Sequence, residues 1–229
     1  MRFYPPSISH HSYTHSRWSK EEQVVKIPTS TLKRLPQYLE VIKRLQKAGL
    51  EEVSATKISV FSDIHQTLVR KDISFTGTVA SKMGYNIETL QKSIEDLLNW
   101  GDTSSSCLVG VGHLGSALLG YQEFSQRGLK IIAGFDNDPD KIGTAIHGVP
   151  VYSALDFPQI VKKNKVKIGI ITVPPDSAQI IADIMVHSGI KAIWNFTPHK
   201  IIVPPEIIVE YVDMFASLAV LSRRLAEQN

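Results

Sequence analysis

Residues 107–115 carry the feature that most constrains the fold, an apolar run that breaks into three glycines in the sequence CLVGVGHLG. Gly110, Gly112 and Gly115 have the G-x-G-x-x-G spacing, which predicts a strand, a tight turn and a helix in close succession. The first glycine permits the turn, the second lets the backbone approach a pyrophosphate, and the third lets the helix pack against the sheet. The spacing also occurs in chains that bind no nucleotide, so its context matters.

The flanking sequence fits this interpretation. SSSCLV predicts a loop that enters a strand, SALLGYQEFSQRG predicts a helix that ends at Gly128, and LKIIAGF predicts a second strand. That strand ends in Asp136, 21 residues after Gly115, where a carboxylate accepts a hydrogen bond from a ribose 2′-hydroxyl. Because the same carboxylate would repel a 2′-phosphate, the predicted cofactor is NAD rather than NADP.

Composition excludes several classes of protein. No apolar run approaches the roughly 20 residues that span a bilayer, and residues 1–26 lack the apolar core of a signal peptide. The single cysteine, Cys107, excludes an internal disulfide framework and fits a reducing compartment. We therefore expect a cytoplasmic protein with no membrane partner. No metal site is predicted, because the three histidines at 10, 11 and 15 lie in an aperiodic, flexible extension.

The charges are unevenly placed along the chain. Residues 1–100 carry 14 Lys and Arg against 10 Asp and Glu, whereas residues 101–229 carry 11 against 12. An anionic partner of the first half is one interpretation, and an ordinary solvated surface is the other. We divide the chain into a flexible extension, a helical domain, a nucleotide-binding domain, and a terminal strand with a helix, at 1–26, 27–101, 102–205 and 206–229, with a linker at 102–106.

The first half predicts a helix–turn–helix. A helix at 30–48 precedes a segment that Ser54 caps, and the turn at 62–64 leads into a second helix at 66–74. That helix either enters a DNA major groove or belongs to a three-helix cap with solvated basic residues, and spacing leaves both open. Residues 75–85 predict a wing, which is a β-hairpin beside the helix at 66–74. The candidate DNA contacts are Gln66, Thr67, Arg70, Lys71, Ser74 and Lys82.

The second half alternates strands and helices, which predicts a parallel sheet covered on both faces. We expect strands at 107–111, 130–135, 149–152, 166–172, 190–195 and 207–212, and helices at 114–127, 155–163 and 176–188. The loops that begin at Thr172 and Asn195 follow two of the strands, and each suits a nicotinamide ring or is ordinary loop punctuation. The terminal helix has one broad apolar face, which docks either on its own domain or on a second subunit.

Several motifs in this order resemble the Rex family of redox-sensing transcriptional repressors. They are IPxxxxxRLPxYL, VRKD, GY, LVGxGxLGxAL, FDxDPxKIG, GVPVY, IGIITVP, GIKAIxNFxP and VExVD, spread over about residues 27 to 225. The resemblance implies an α/β chain with an N-terminal winged-helix DNA-binding domain, a Rossmann-like NAD(H) domain and a C-terminal domain-swapped helix. It further implies a homodimer that represses transcription from palindromic double-stranded operators and is released when NADH replaces NAD⁺.

The resemblance also implies functional residues. Tyr121 matches a tyrosine near the hinge between the domains, Asp213 matches an aspartate at the start of the swapped helix, and Phe215 lies on that helix. We expect the cofactor to contact the glycine loop, the acidic strand end and the two later loops, at Gly110, Val111, Gly112, His113, Leu114, Gly115, Asp136, Asn137, Lys141, Thr172, Val173, Pro174, Asn195 and Phe196.

The sequence departs from the family pattern mainly where DNA is read. Leu68 stands where the family usually has a polar residue, and the wing is one residue shorter, with Lys82 in place of an arginine. Glu40 stands where some members have an arginine that pairs with the aspartate matched by Asp213, and two carboxylates cannot form that ion pair.

Two other functions compete with the repressor. The first is a paralogue that keeps nucleotide binding, has lost or altered operator binding, and acts through protein partners. The second is an NAD-dependent dehydrogenase, but no histidine has a positioned acid–base partner. His113, His147 and His199 all fall in predicted loops, so no catalytic residue is assigned.

Overall fold

The computed structural model describes residues 26–228, so the prediction of a flexible extension lies almost wholly outside the described residues. The chain begins with a helical unit whose core is formed by the apolar faces of four helices and a two-stranded ribbon. Its elements are α1 (Thr29–Lys47), β1 (Glu52–Val53), α2 (Ala55–Ser62), α3 (Gln66–Ser74), β2 (Tyr85–Asn86) and α4 (Ile87–Leu97).

The helix–turn–helix forms where the sequence predicts it. The Ser54 hydroxyl accepts a hydrogen bond from the Lys57 amide at 3.1 Å, which caps α2. Asp63 ends α2 in the left-handed region at φ +55°, and α3 begins three residues later. Val69 and Ile73 bury one face of α3 in the core, so its opposite face points to solvent.

Residues 75–84 form a loop in place of the predicted hairpin. The antiparallel pairing in this unit joins only Glu52–Val53 to Tyr85–Asn86. The loop closes on itself through a 2.7 Å hydrogen bond from the Ser81 amide to the Gly84 carbonyl. Its apolar residues Val79 and Met83 are exposed and face no core, so no hydrophobic pattern fixes a strand register here.

A seven-stranded sheet follows, in the spatial order β5-β6-β4-β3-β7-β8-β9. Six of these strands are parallel and, counted along the chain, have the order 3-2-1-4-5-6 of a dinucleotide-binding Rossmann fold. The strands are β3 (Ser104–Val109), β4 (Leu129–Asp136), β5 (Ala145–Ile146), β6 (Val149–Ser153), β7 (Ile168–Ile171), β8 (Ala192–Asn195) and β9 (Ile208–Tyr211). The helices are α5 (His113–Leu119), α6 (Glu123–Gln126), α7 (Phe157–Asn164), α8 (Ala178–His187) and α9 (Met214–Ala226).

Three sequence predictions in this half need correction. Ser104–Ser106 belong to the central strand rather than to a linker, because they pair in register with β4. The predicted helix at 114–127 breaks into α5 and α6 at Gly120, whose position leaves no room for a Cβ beside the His147 ring. The short strand β5 was not predicted and forms a hairpin with β6 through His147 and Gly148, both at positive φ.

The sheet buries apolar residues on both faces. Helices α7 and α8 cover one face through Phe157, Val161 and Met185, and α5 covers part of the other through Leu119. In contrast, α9 has no buried residue, and its apolar side chains are exposed in the single chain. The fold therefore positions the glycine loop at the centre of the sheet, and in the part of the chain that the structure describes the apolar side chains of α9 are largely exposed.

Candidate functional site

The glycine loop has the geometry that its sequence predicts. Gly110 has φ +98°, and a Cβ there would lie 2.7 Å from the carbonyl oxygen of Thr172. A Cβ at Gly115 would collide with the Gly110 carbonyl, so α5 approaches the loop as closely as a glycine allows. Gly112 differs, because nothing lies within 4 Å of its Cβ position. Gly110 and Gly115 therefore shape the turn, and Gly112 leaves room for a ligand.

A cleft of about 300 Å³ opens beside this loop at the carboxyl ends of β3, β4 and β7. This is the point where the strand order reverses, and ligands of such sheets bind there. Eight of the predicted cofactor residues line it: Gly110, Gly112, Asp136, Asn137, Lys141, Thr172, Val173 and Pro174. Of the others in the loop, Val111 and Gly115 are buried behind the cleft wall, and His113 and Leu114 are exposed outside it.

Asp136 is held firmly at the edge of the cleft. Its carboxylate accepts hydrogen bonds from the Val111 amide at 2.8 Å and the Asp138 amide at 2.9 Å. The Lys141 ammonium lies 3.4 Å from the same carboxylate and 3.2 Å from that of Asp138. The hydrogen bond to Asp138, supported by the charge of Asp136, raises the pKa of Lys141, so this cation stays charged at the cleft.

Asn195 and Phe196 do not line this cleft. The Asn195 side chain is fully buried, donates to the His199 carbonyl at 2.9 Å and accepts from the Thr197 amide at 2.8 Å. It therefore shapes the turn after β8. Phe196 packs on Trp194 and lines a separate cleft of about 310 Å³ with residues 211–215, at the base of α9.

The solvent face of α3 carries most of the candidate DNA contacts. Thr67, Arg70, Lys71 and Ser74 are exposed at helical spacing, Gln66 is half-buried at the start of the helix, and Lys82 is exposed on the loop after it. Leu68 lies at the flank of this face and is partly exposed. The two cations of α3 have no ion-pair partner among the described residues, so they are free to meet an anion.

Sequence reasoning missed the network that holds α3 in place. The Asp72 carboxylate is 1% exposed and accepts hydrogen bonds from three side chains of α1. Arg34 donates two, at 2.6 and 2.8 Å, and Tyr38 and Thr31 each donate one at 2.8 Å. Because its partners lie 34 to 41 residues earlier in the chain, only the VRKD motif marked this aspartate.

The network keeps its members in defined protonation states. Burial alone would raise the pKa of Asp72, but the hydrogen bonds from Arg34, Tyr38 and Thr31 outweigh it and hold the pKa below its ordinary value. Burial, together with the hydrogen bond to this carboxylate, raises the pKa of Tyr38, which therefore stays a donor. Asp72 thus remains an anion and ties α3 to α1.

The predicted hinge and dimer residues lie on exposed surfaces. Tyr121 is half exposed and packs edge-on against Phe124, at 5.0 Å between ring centroids. Asp213 accepts from the Ala216 amide at 2.9 Å and so caps α9, and Phe215 is 65% exposed on that helix. Glu40 makes an ion pair with Arg127 at 3.0 Å, across the boundary between the two units.

No helix among residues 26–228 is long and apolar enough to cross a membrane. The same residues contain no cluster of three His, Cys, Asp or Glu side chains that would hold a metal ion, and His10, His11 and His15 lie outside them. Cys107 is a buried free thiol whose pKa is raised by burial to about 12, which keeps it protonated and unreactive.

Family models match both halves of the chain. Residues 26–74 match the model described as "Putative DNA-binding protein N-terminus", and residues 102–199 match the model described as "CoA binding domain". The first match contains the helix–turn–helix, and the second contains the glycine loop and most of the parallel sheet.

The chain is similar to curated repressors over most of its length. It is 41% identical to the redox-sensing transcriptional repressor Rex of Bacteroides thetaiotaomicron, over 87% of this chain and 91% of the relative. It is 41% identical to that of Treponema denticola over 86% of this chain and 94% of the relative, and 36% identical to that of Listeria welshimeri over 87% and 94%.

Among solved structures, too, the chain is similar to a Rex-family repressor over most of its length. RSP, described as a Rex-family repressor, is 32% identical. Its complex with NAD⁺ and operator DNA matches 89% of this chain and 94% of that chain with a TM-score of 0.83. Its complex with NADH matches 88% and 95% with a TM-score of 0.81.

Proposed function

The chain belongs to the Rex family of redox-sensing transcriptional repressors, and from that premise we propose that it represses transcription as a homodimer that binds palindromic operator DNA and leaves it when NADH binds. One observation carries the proposal. A single chain combines a glycine-lined cleft at the switch point of a Rossmann sheet with a helix that presents unpaired cations to solvent. In this proposal the protein is a cytoplasmic regulator rather than an enzyme, because the relatives that it matches over most of its length are named as transcriptional repressors.

The cleft fits a dinucleotide. The open position at Gly112 lets backbone amides approach a pyrophosphate, and Asp136 lies where a ribose hydroxyl would donate to it. Thr172, Val173 and Pro174 form the wall toward β7 and suit the flat face of the nicotinamide. Asn195 lies outside this cleft and fixes the turn that carries Phe196 in the separate cleft at the base of α9. The bound nucleotide would supply the redox signal, since its ring is charged in NAD⁺ and neutral in NADH.

Discrimination between the two forms follows from the cost of burying a charge. A ring pocket closed by a second subunit penalises the cationic nicotinamide of NAD⁺ through desolvation and accepts the neutral ring of NADH. NADH then shifts the dimer only by the difference in its affinity for the two arrangements. RSP has been solved both with NADH and with NAD⁺ on operator DNA, which supports such a pair of states in the family.

The dimer would use α9. Its exposed apolar residues, Met214, Phe215, Leu218, Leu221 and Leu225, are more than half exposed in the single chain, and such a helix face requires a covering surface. A second copy of the chain provides it in this proposal, with Asp213 and Phe215 at the interface and Tyr121 near the hinge. Two copies of α3 would then read half-sites about one helical turn of DNA apart.

We further propose the domain boundaries at 27–101, 102–205 and 206–229, with 1–26 as an extension.

One observation favours a second function, a nucleotide-binding paralogue that acts through proteins. The loop at 75–84 lacks the hairpin that a wing would provide, and Leu68 replaces a polar residue on α3.

A DNA selection with the purified protein distinguishes the two functions. We expect a palindromic site with two half-sites about one helical turn apart, and a loss of its enrichment when NADH is added. Enrichment of no site, from a protein that still binds NADH and forms a dimer, would establish the paralogue instead.

A further inference from the structure

Helix α1 contacts both α3 in its own unit and the sheet unit, and the two sets of contacts differ in kind. Toward α3 it provides Arg34, Tyr38 and Thr31, which hold the buried Asp72 carboxylate. Toward the sheet it provides Lys33, which pairs with Glu210 at 2.8 Å, and Glu40, which pairs with Arg127 at 3.0 Å. Asp72, Tyr38 and Thr31 in the first set are buried and Arg34 is partly buried, whereas both ion pairs of the second set are exposed.

The two exposed ion pairs fix the direction of α1 on the sheet unit. Lys33 and Glu40 lie seven residues apart, which is two turns along one face of a helix. Their partners have the opposite order of charge, so a reversed α1 would place like charges together. Each such pair contributes little by itself and weakens in salt, which suits a contact that must open and close.

Arg127 lies at the junction of three elements. Its guanidinium lies 3.0 Å from Glu40 on α1 and 3.0 Å from Glu123 on α6, and it stacks over the Trp100 ring at 5.2 Å from the centroid. Trp100 belongs to the segment that connects the two units. Gly128, which follows Arg127, accepts a 2.7 Å hydrogen bond through its carbonyl from the amide of Ser104, the first residue of β3.

A short stretch of chain joins Arg127 to the glycine loop. Helix α5 begins at His113, directly after Gly112, and α6 ends at Gln126, directly before Arg127. The two short helices and the break at Gly120 are therefore the only chain elements between the glycine loop and Arg127 along the sequence. The other ion-pair partner that α1 has in the sheet unit among the described residues, Glu210, lies on the edge strand β9 and does not line the cleft.

We propose that Glu40 and Arg127 are positioning residues that transmit the state of the nucleotide cleft to the DNA-reading helix. In this chain a carboxylate on α1 meets an arginine at the end of α6, and the buried Asp72 network then moves α3 together with α1. This inference rests on the proposed repressor function. It gives Glu40 an ion-pair partner in its own chain, so Asp213 is not needed for that role.

The test compares two substitutions of the same arginine's partners. Glu40→Gln removes the contact between the units, and Glu123→Gln removes a contact of equal length between Arg127 and the first residue of α6. The measured quantity is the ratio of the operator Kd in NADH to that in NAD⁺, for the full chain at low salt. We expect Glu40→Gln to lower this ratio about two- to five-fold and Glu123→Gln to change it by less than about 1.5-fold.

A double-mutant cycle with Arg127→Gln completes the test. If the pair acts as a unit, Glu40→Gln adds no further decrease to the ratio when Arg127→Gln is already present. The melting temperature of each variant serves as the control for folding, and we expect it to stay within about 2 °C because the pair is exposed.

Two results would overturn the inference, namely equal effects of Glu40→Gln and Glu123→Gln, or additive effects in the cycle. Wild-type protein is measured first in the same assay. A wild-type ratio near one means that the proposed repressor function fails, whereas a large wild-type ratio with equal variants means that only this inference fails.

Discussion

The nucleotide cleft and the DNA-reading surface are built by different kinds of interaction. The cleft depends on backbone geometry within a short stretch, where Gly110 and Gly115 exclude any side chain and Gly112 leaves open space. The reading helix depends on contacts between distant segments, above all the buried carboxylate of Asp72. The input of the proposed switch is thus encoded locally, and its output is encoded by tertiary structure.

The largest expected effect separates the two regions. Asp72→Ala removes the anion from Arg34, Tyr38 and Thr31, and breaking such a buried pair costs about 3–5 kcal/mol of unfolding free energy. We expect the helical unit to unfold early in urea while NADH affinity stays within about two-fold of wild type. Asp96→Ala removes an exposed carboxylate from an ion pair with Lys92 and serves as the matched control. Joint loss of folding and NADH binding would contradict the separation.

Acid should weaken the same network. The pKa of Asp72 is lower in the folded protein than in the unfolded chain, so its stabilisation is complete above the unfolded value near about 4. It disappears as the pH falls through the lower folded value. We expect the stability difference between wild type and Asp72→Asn to be constant from pH 5 to 7 and to narrow below about pH 4. A difference independent of pH would argue against an ionised Asp72.

The next effect concerns the cleft alone. Gly112→Ala places a methyl group where the protein is open, at an ordinary negative φ, so the fold should be unchanged. The methyl group blocks the backbone approach to the pyrophosphate, and we expect the NADH Kd to rise about 10- to 100-fold by calorimetry. Gly101→Ala, also without neighbours within 4 Å, is the control. Unchanged affinity in Gly112→Ala would move the nucleotide away from this loop.

The smallest effects concern the reading surface. Arg70→Ala on α3 should weaken operator binding about ten-fold, whereas Lys82→Ala on the loop should weaken it only about three-fold. Loss of a lysine–phosphate contact should also lower the salt dependence of operator binding by about one unit of slope without changing sequence preference. A larger effect of Lys82→Ala would show that the loop contributes more than its missing hairpin indicates.

Local signals explain which parts of the fold the sequence predicts. The helix pair ending in α3 and the strand–loop–helix around Gly110 are found because Ser54, the glycines and apolar periodicity act within a few residues. Ser104–Ser106 were assigned to a linker because serine favours loops, but pairing with β4 overrides that preference. Glycines and β-prone residues at 75–85 predict a hairpin, but Val79 and Met83 are exposed, and within this segment only Tyr85, which pairs with Val53, is buried in the core.

The candidate site follows the same rule. Eight of the fourteen predicted cofactor residues line the cleft because strand ends of a parallel sheet meet at one edge. The sequence predicts that Asn195 contacts the cofactor, yet in the structure its side-chain amide donates to the His199 carbonyl and accepts from the Thr197 amide. Asp72 and Arg127 act on partners many residues away, and no spacing rule connects them to those partners.

Operator binding at varied ratios of NADH to NAD⁺ and constant total nucleotide tests the central claim most directly. The labelled site from the DNA selection is titrated with full-length protein, and fluorescence anisotropy reports the bound fraction. We predict tight, salt-dependent binding in NAD⁺ that falls steadily as the share of NADH rises, with no consumption of NADH. Operator affinity that is the same at every ratio, in a protein that binds NADH, would contradict it.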